Sequence, residues 1–177
     1  LSHCSGLTYG NSLHPVDQEY QRLDVRRSDG ETLNSFVQKL AAVPLRYQPG
    51  EKWLYSLATD VCGYLVEAMS GLPFDEYLQK YIFDPLDMTD TAFHVCPEKL
   101  DRFAANYQRR KDKTLKLIDA PEQSAYRHKP DFVSGGGGLT GTTRDYYRFC
   151  EMLRGGGQLD GVRIIGSRTL NLMTQNH

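Results

Sequence analysis

The 177-residue chain has the length of one domain and an ordinary composition, with 40% hydrophobic and 24% charged residues. That composition excludes intrinsic disorder, collagen and coiled coil as structural classes. The charges nearly balance, with 21 Lys and Arg against 22 Asp and Glu, so no overall field favours nucleic acid or an anionic membrane as a partner. No apolar run reaches the ~18 residues that a membrane span needs.

The first half of the chain is predicted to be largely helical. Residues 1–28 are rich in turn-forming residues and predict loop with at most one short helix. Apolar residues at helical spacing then predict three helices, over 33–41, 56–70 and 73–85. Gly71 is the predicted C-terminal cap of the second helix. The apolar stripe predicted for that helix is Leu57, Val61, Tyr64, Leu65 and Ala68.

The middle of the chain predicts a β-hairpin, with strands over 104–108 and 114–118 around a basic turn. The basic residues between Arg109 and Lys116 are interpreted as a solvated hairpin tip, although an anionic partner is the alternative. Residues 119–133 contain two prolines and little periodicity, and they predict a loop.

A glycine run, Ser134 to Gly141, precedes a predicted helix in which Thr142 and Asp145 form a capping box. The predicted apolar stripe of that helix is Tyr146, Phe149, Cys150 and Leu153. A small hairpin over 158–165 turns at Asp160-Gly161. A last short helix is predicted to be capped by Ser167.

The glycine run imitates two nucleotide-binding motifs. Gly136, Gly138 and Gly141 match G-x-G-x-x-G, but neither a clear strand before them nor a βαβ unit after them is predicted. Thr142 stands where a phosphate loop needs Lys. The run is therefore interpreted structurally, as glycines that let the backbone pass close to other backbone or to a ligand.

Metal and redox chemistry find no support in the sequence. Four cysteines, at 4, 62, 96 and 150, show no C-x-x-C spacing. They predict free thiols, which favours a cytoplasmic location without fixing it. The five histidines, at 3, 14, 94, 128 and 177, have no metal-ligand spacing, so no metal or cofactor is predicted.

Motifs for nucleophilic catalysis are incomplete. The strings G-x-S-x-G, S-x-x-K and K-T-G do not occur. The nearest match to S-x-x-K, residues 124–127, ends in Arg, which cannot deprotonate to act as a base. Motif spacing alone thus gives no complete active site.

Four segments, in order, resemble the serine β-lactamase-like hydrolases, which include class C β-lactamases, D-Ala-D-Ala peptidases and family VIII carboxylesterases. They are residues 1–7 (LSHCSGL), 49–61 (PGEKWLYSLATDV), 71–93 and 134–153. The resemblance implies that residues 1–177 are one segment: the largely helical portion of the α/β β-lactamase/transpeptidase-like fold, with the central sheet domain largely absent. It also implies an S-x-x-K motif before Leu1 and a K-T-G equivalent after His177.

Three residues take site roles from this resemblance. Tyr55 matches the Tyr of the family's Y-x-N motif, where a phenol serves as the base for the serine and later returns the proton. Trp53 is expected in the pocket wall, with core packing as the alternative. Leu57 replaces the motif's Asn and removes an amide that could bind a β-lactam, which favours esters; its alternative role is core packing.

The resemblance therefore predicts part of a serine hydrolase, most simply a carboxylesterase that forms an acyl-enzyme. Its partners would be a small-molecule ester or amide and the missing N- and C-terminal segments of the same enzyme. The alternatives are a catalytically inactive binding or scaffolding homologue and a β-lactamase or D-Ala-D-Ala peptidase. The 177 residues alone are expected to be inactive because they lack the nucleophile motif.

Overall fold

The structure is a computed structural model that describes residues 2–25 and 30–175. It is mostly helical with two small antiparallel sheets, as the sequence predicts. The chain divides into two compact units, Leu1–Tyr77 with Asp131–Gly138, and Leu78–Pro130 with Leu139–His177. Residues 1 and 26–28 of the predicted N-terminal loop lie outside the described residues.

Helices and loops build the first unit. Its helices are α1 (Pro15–Arg22), α2 (Leu33–Ala41) and α3 (Ala58–Ser70), followed by α4 (Phe74–Leu78), which crosses into the second unit. The bounds predicted for α2 are confirmed, and a reciprocal capping box between Thr32 and Ser35 fixes its start. Helix α3 begins two residues later than predicted. It ends as predicted at Gly71, whose φ of 72° is the left-handed conformation that glycine adopts without strain.

The core of the first unit forms where α2 lies against α3. Its buried side chains are Tyr20, Val25, Leu33, Phe36, Leu40, Val43, Leu57 and Phe132. The stripe predicted for α3 is correct at Val61 and Tyr64, which pack against this core, but wrong at Leu65, which is 49% exposed, and at Ala68, which is also exposed. The inward face of α3 instead includes Asp60 and Gly63, which apolar periodicity cannot identify.

The second unit contains the two hairpins and two further helices. One sheet pairs β1 (Asn106–Arg109) with β2 (Leu115–Asp119), and the other pairs β3 (Gln158–Leu159) with β4 (Val162–Arg163). The helices are α5 (Thr143–Arg154) and α6 (Ser167–Met173). Both predicted hairpins are confirmed. Asp160 and Gly161, with φ of 49° and 81°, give the second hairpin its tight turn.

The third predicted helix is not α-helical to its end. After α4, residues Gln79–Phe83 form a π-helical turn, closed by the Asp84 N–H donating to the Gln79 carbonyl at 2.9 Å. The remaining regular pieces are 3₁₀ turns at Pro97–Arg102 and Ala125–Arg127. The predicted loop over 119–133 therefore contains the end of β2 and one short turn.

Helix α5 follows its predicted cap and stripe only in part. Thr142 caps the helix as predicted, accepting from the Asp145 N–H at 3.2 Å. The Asp145 carboxylate is buried, and it accepts hydrogen bonds from the Thr91 hydroxyl and the Asp90 N–H instead of completing the capping box. Cys150, assigned to the stripe, is exposed.

The second core shows which residues of α5 face inward. Its buried side chains are Phe83, Leu86, Met88 and Met152. Phe149 and Leu153 pack against it, whereas Tyr146 is 69% exposed. Helix α6 is capped by Gly166 without a side-chain bond, so the prediction of a Ser167 cap is wrong.

Residues 2–25 and 30–175 include no helix long and apolar enough to cross a membrane. Within the same residues, no group of three or more His, Cys, Asp or Glu side chains is arranged to hold a metal ion. All four cysteines are free thiols.

Candidate active site

Two of the motif-bearing segments lie side by side in the first unit. The Leu54 N–H donates to the His3 carbonyl at 2.8 Å, and the Gly50 N–H donates to the Cys4 carbonyl at 2.7 Å. Gly6 has a φ of 82°, and a Cβ atom there would lie 2.1 Å from the Tyr47 carbonyl oxygen. Only glycine permits this close approach, so residues 3–6 and 46–54 form one backbone-bonded layer.

An aromatic cluster surrounds Tyr55 on this layer. The Tyr55 ring centroid lies 4.6 Å from that of His3, 5.3 Å from that of Tyr9 and 6.4 Å from that of Trp53. Trp53 stacks with Tyr55 at an interplanar angle of 21°, and His3 meets Trp53 edge-on at 6.0 Å. The four rings lie next to one another and form one surface. Aromatic pairs attract at such separations, which stabilises this arrangement.

Both predicted residues of the cluster are accessible. Tyr55 is 55% exposed and Trp53 is 66% exposed. The core-packing alternative for Trp53 is therefore disfavoured, and its exposed stacking suits a pocket wall. The phenol of Tyr55 can meet a substrate or a nucleophile from the solvent side, which proton transfer requires.

Leu57 has quite different surroundings. It is only 6% exposed, belongs to the core of the first unit and stands at the N-cap of α3. Next to it, Ser56 is fully buried and its Oγ accepts from the Ala58 N–H at 3.4 Å. This placement favours the packing alternative for Leu57 over contact with a substrate.

The glycine run packs against the start of α3, immediately after the Tyr55 segment. The Ser134 hydroxyl donates to the buried Asp60 carboxylate at 2.6 Å, and the Gly136 N–H also reaches it at 3.3 Å. A Cβ atom on Gly135 would lie 2.1 Å from the Thr59 carbonyl oxygen. The interpretation of the glycines as a close backbone approach is confirmed, whereas the roles of Asp60 and Ser134 were missed.

His3 and Tyr9 were also missed as site residues. The sequence marked His3 only as part of LSHCSGL and did not single out Tyr9. No local spacing relates either residue to position 55, because the backbone bonds to the layer create the proximity. The one available signal was the resemblance of LSHCSGL to a segment of the hydrolase family.

The second unit has an open cleft of about 580 Å³ that could compete as a candidate site. Its charged wall includes Lys99 and Arg102, which both pair with Asp90, at 2.9 Å and 2.8 Å. Asp119 also lines the cleft, so two carboxylates stand against these two cations and the cleft does not offer a strong anion site. The Tyr55 cluster therefore remains the better-founded candidate.

The sequence model of the Beta-lactamase family matches residues 1–177. The chain belongs to the β-lactamase family. Among its curated relatives, Protein Rv1367c of Mycobacterium tuberculosis is 36% identical over 174 residues, covering 98% of this chain and 42% of the relative. Esterase EstB of Burkholderia gladioli is 34% identical over 173 residues, covering 87% of this chain and 43% of the relative.

Solved structures support the same family assignment. EstCE1, described as a hydrolase with promiscuous acyltransferase activity, superposes with a TM-score of 0.79 at 27% identity, covering 99% of this chain and 49% of EstCE1. Simvastatin synthase LovD from Aspergillus terreus superposes with a TM-score of 0.74 at 30% identity, covering 98% and 41%. The family thus includes esterases and acyltransferases. The chain spans about two fifths of the length of the curated relatives it matches.

Proposed function

We propose that the chain is the tyrosine-bearing segment of a longer serine hydrolase that cleaves small carboxylic esters through an acyl-enzyme. The observation that carries the proposal is the exposed Tyr55 phenol, framed by aromatic rings where the LSHCSGL and PGEKWLYS segments meet. The serine nucleophile and its lysine would come from outside the 177 residues, which contain no S-x-x-K.

In this mechanism Tyr55 is the proton-transfer group. A serine hydroxyl is a weak nucleophile until a base takes its proton. The Tyr55 phenolate would accept that proton as the serine attacks the ester carbonyl, and the phenol would return it to the departing alkoxide. Trp53 would line the acyl or alcohol pocket with its exposed face.

The acyl-enzyme has two possible acceptors. Water as the acceptor gives hydrolysis, and an alcohol as the acceptor gives acyl transfer. With either acceptor, the steps that formed the acyl-enzyme run in reverse: the base takes the proton of the acceptor, and the serine recovers a proton as it leaves. Relatives named for each outcome, EstB as an esterase and Penicillium citrinum mlcH as a methylbutanoyltransferase, support a test of both acceptors. The inactive binding or scaffolding homologue stays the alternative, and labelling by a fluorophosphonate, which modifies an activated serine, distinguishes it from an enzyme.

Tyr55→Phe in the longer enzyme tests the proposal. The change keeps the ring and its stacking and removes only the hydroxyl. We expect kcat for p-nitrophenyl butyrate to fall about 10²–10⁴-fold, the usual contribution of a general acid–base group. Tyr107→Phe is the matched control, because Tyr107 is also 55% exposed but lies on β1 of the second unit. A loss smaller than about threefold in Tyr55→Phe would give Tyr55 a structural role.

A further inference from the structure

His3 has two features that are each unfavourable for a folded protein. Its φ of 56° lies in the left-handed region, which side chains other than glycine rarely adopt. Its Nδ1 atom is buried and has no hydrogen-bond partner within residues 2–25 and 30–175. Strained backbone concentrates at functional sites, so the conformation of His3 calls for a functional explanation, and the unsatisfied Nδ1 shows that hydrogen bonding of the imidazole does not supply it.

The surroundings of His3 supply that explanation. Its ring lies 4.6 Å from the Tyr55 ring, tilted by 52°, and 6.0 Å from the Trp53 ring. Its carbonyl accepts from the Leu54 N–H at 2.8 Å, so the backbone of His3 is tied to the residue between these two aromatics. The imidazole is thus held at a fixed place beside the exposed Tyr55 phenol.

We propose that His3 is a positioning residue for Tyr55, an inference that rests on the proposed function. Tyr55 is half-exposed and precedes α3, so its side chain is not packed into a core or held on a helix face. The neighbouring rings are therefore what limit the orientation of its phenol. Proton transfer needs the phenol oxygen within about 2.6–3.2 Å of its partner. The imidazole contact narrows the range of ring orientations, and the strained backbone of His3 is what places the imidazole there.

Two substitutions in the longer enzyme separate the ring from the backbone. His3→Asn suits the left-handed conformation but has no ring, whereas His3→Phe keeps an aromatic ring, six-membered in place of the five-membered imidazole, and loses both nitrogens. Active-site titration with a fluorophosphonate counts competent sites, so kcat is expressed per folded site. Tyr55→Phe is measured in parallel.

We expect His3→Asn to lower kcat about 10- to 100-fold with KM changed by less than about threefold, because misplacement of a reacting group by about 1 Å costs up to about 10²-fold. His3→Phe is expected to retain kcat within about threefold. This split between kcat and KM, together with rescue by the ring, is not expected of a residue that only stabilises the fold.

Three results would overturn the inference. The first is an unchanged kcat per site in His3→Asn while Tyr55→Phe is inactive, which leaves the proposed function intact. The second is an equal loss of kcat in His3→Asn and His3→Phe, because the ring would then not be the group that acts. The third is full activity in Tyr55→Phe, which removes the proposed function and the inference together.

Discussion

Tyr55 and Leu57 are two residues apart, yet one side chain meets solvent and the other meets the core. Tyr55 is 55% exposed and Leu57 is 6% exposed. The chain turns into α3 between them, with Leu57 as the N-cap residue. The Y-x-L pattern therefore does not place both side chains on one surface. A change of residue 57 should affect the stability of the fold more than the binding of a substrate.

Leu57→Asn is expected to destabilise the chain more than it changes substrate preference. The substitution removes a buried apolar side chain and buries an amide among Phe36 and other core residues. We expect the free energy of unfolding to fall by about 2–5 kcal/mol, measured by urea denaturation. Leu65→Asn is the matched control on the same helix, because Leu65 is 49% exposed, and it should cost less than about 1 kcal/mol.

Equal unfolding midpoints for the Leu57 and Leu65 variants would contradict the core placement of Leu57. A stable Leu57→Asn protein with a raised ratio of nitrocefin to ester turnover, measured in the longer enzyme, would instead restore its assignment as a substrate contact. The two results are separated by one denaturation series and one pair of assays.

The site residues inside a recognised motif were predictable, and the others were not. Tyr55 and Trp53 could be identified because they belong to a segment that resembles a known motif, whereas the rings of His3 and Tyr9 reach them only through the fold. Asp60 and Ser134 could not be identified, since their hydrogen bond joins positions 74 residues apart in sequence. Apolar periodicity describes which residues avoid water, and it contains no information about which buried carboxylate meets which hydroxyl.

The glycine run and the first turn of α3 form a close backbone contact. Gly135→Ala would place a Cβ atom 2.1 Å from the Thr59 carbonyl oxygen, a distance that backbone atoms must relieve by moving. We expect a lower thermal midpoint, with a loss of about 1–3 kcal/mol from overpacking.

Gly137→Ala provides the control for this prediction. No atom lies within 4 Å of a Cβ built at Gly137, and its φ is not positive. Replacing glycine where the conformation suits alanine stabilises by about 0.4–1 kcal/mol, because the unfolded chain loses freedom. Similar midpoints for the two variants would show that the run does not pack closely against α3.

Elements with a strong repeating pattern were predicted well, and elements shaped by long-range contacts were not. Helix α2 and both hairpins follow from spacing and turn chemistry. The third helix was predicted as one piece, but it changes to a π-helical turn at Gln79–Phe83. Nothing in the local pattern signals that change, because one extra residue per turn leaves the apolar residues in plausible positions.

Electrostatics in the second unit predict an acid-dependent loss of stability. Hydrogen bonds from Arg102 and Lys99 lower the pKa of Asp90 well below its usual range. The folded state therefore holds this carboxylate charged at a pH where the unfolded state, with a pKa of about 3.9, takes up a proton. The stabilisation is fully present above about pH 4 and is lost as the pH falls further towards the folded pKa.

Urea denaturation at pH 7 and pH 3 measures this effect. The wild-type chain should lose stability between the two values, and Asp90→Asn should lose less, because it has no carboxylate to protonate. Asp112→Asn is a comparison at an exposed carboxylate that pairs with Thr114 rather than with cations. An acid loss in Asp90→Asn as large as in wild type would assign the effect to other groups.

The 177 residues bring together an exposed tyrosine and an aromatic surface, but their sequence contains no S-x-x-K. The proposed tyrosine base therefore has no serine of that motif within these residues from which to take a proton. The chain contains one tryptophan, Trp53, which packs against Tyr55, so its fluorescence reports whether the cluster has formed. Folding and turnover can therefore be measured independently in one sample.

We expect the purified 177-residue chain to fold, as judged by a cooperative change in Trp53 fluorescence on denaturation, and to show no hydrolysis of p-nitrophenyl esters above the buffer rate. Esterase EstB of Burkholderia gladioli is the positive control for the assay. The tyrosine alone offers a general base, and such groups accelerate a reaction only when a nucleophile is positioned beside them. Turnover by the pure chain that disappears when one of its own serines is replaced by alanine would contradict this prediction, and it would move the reacting hydroxyl into these 177 residues.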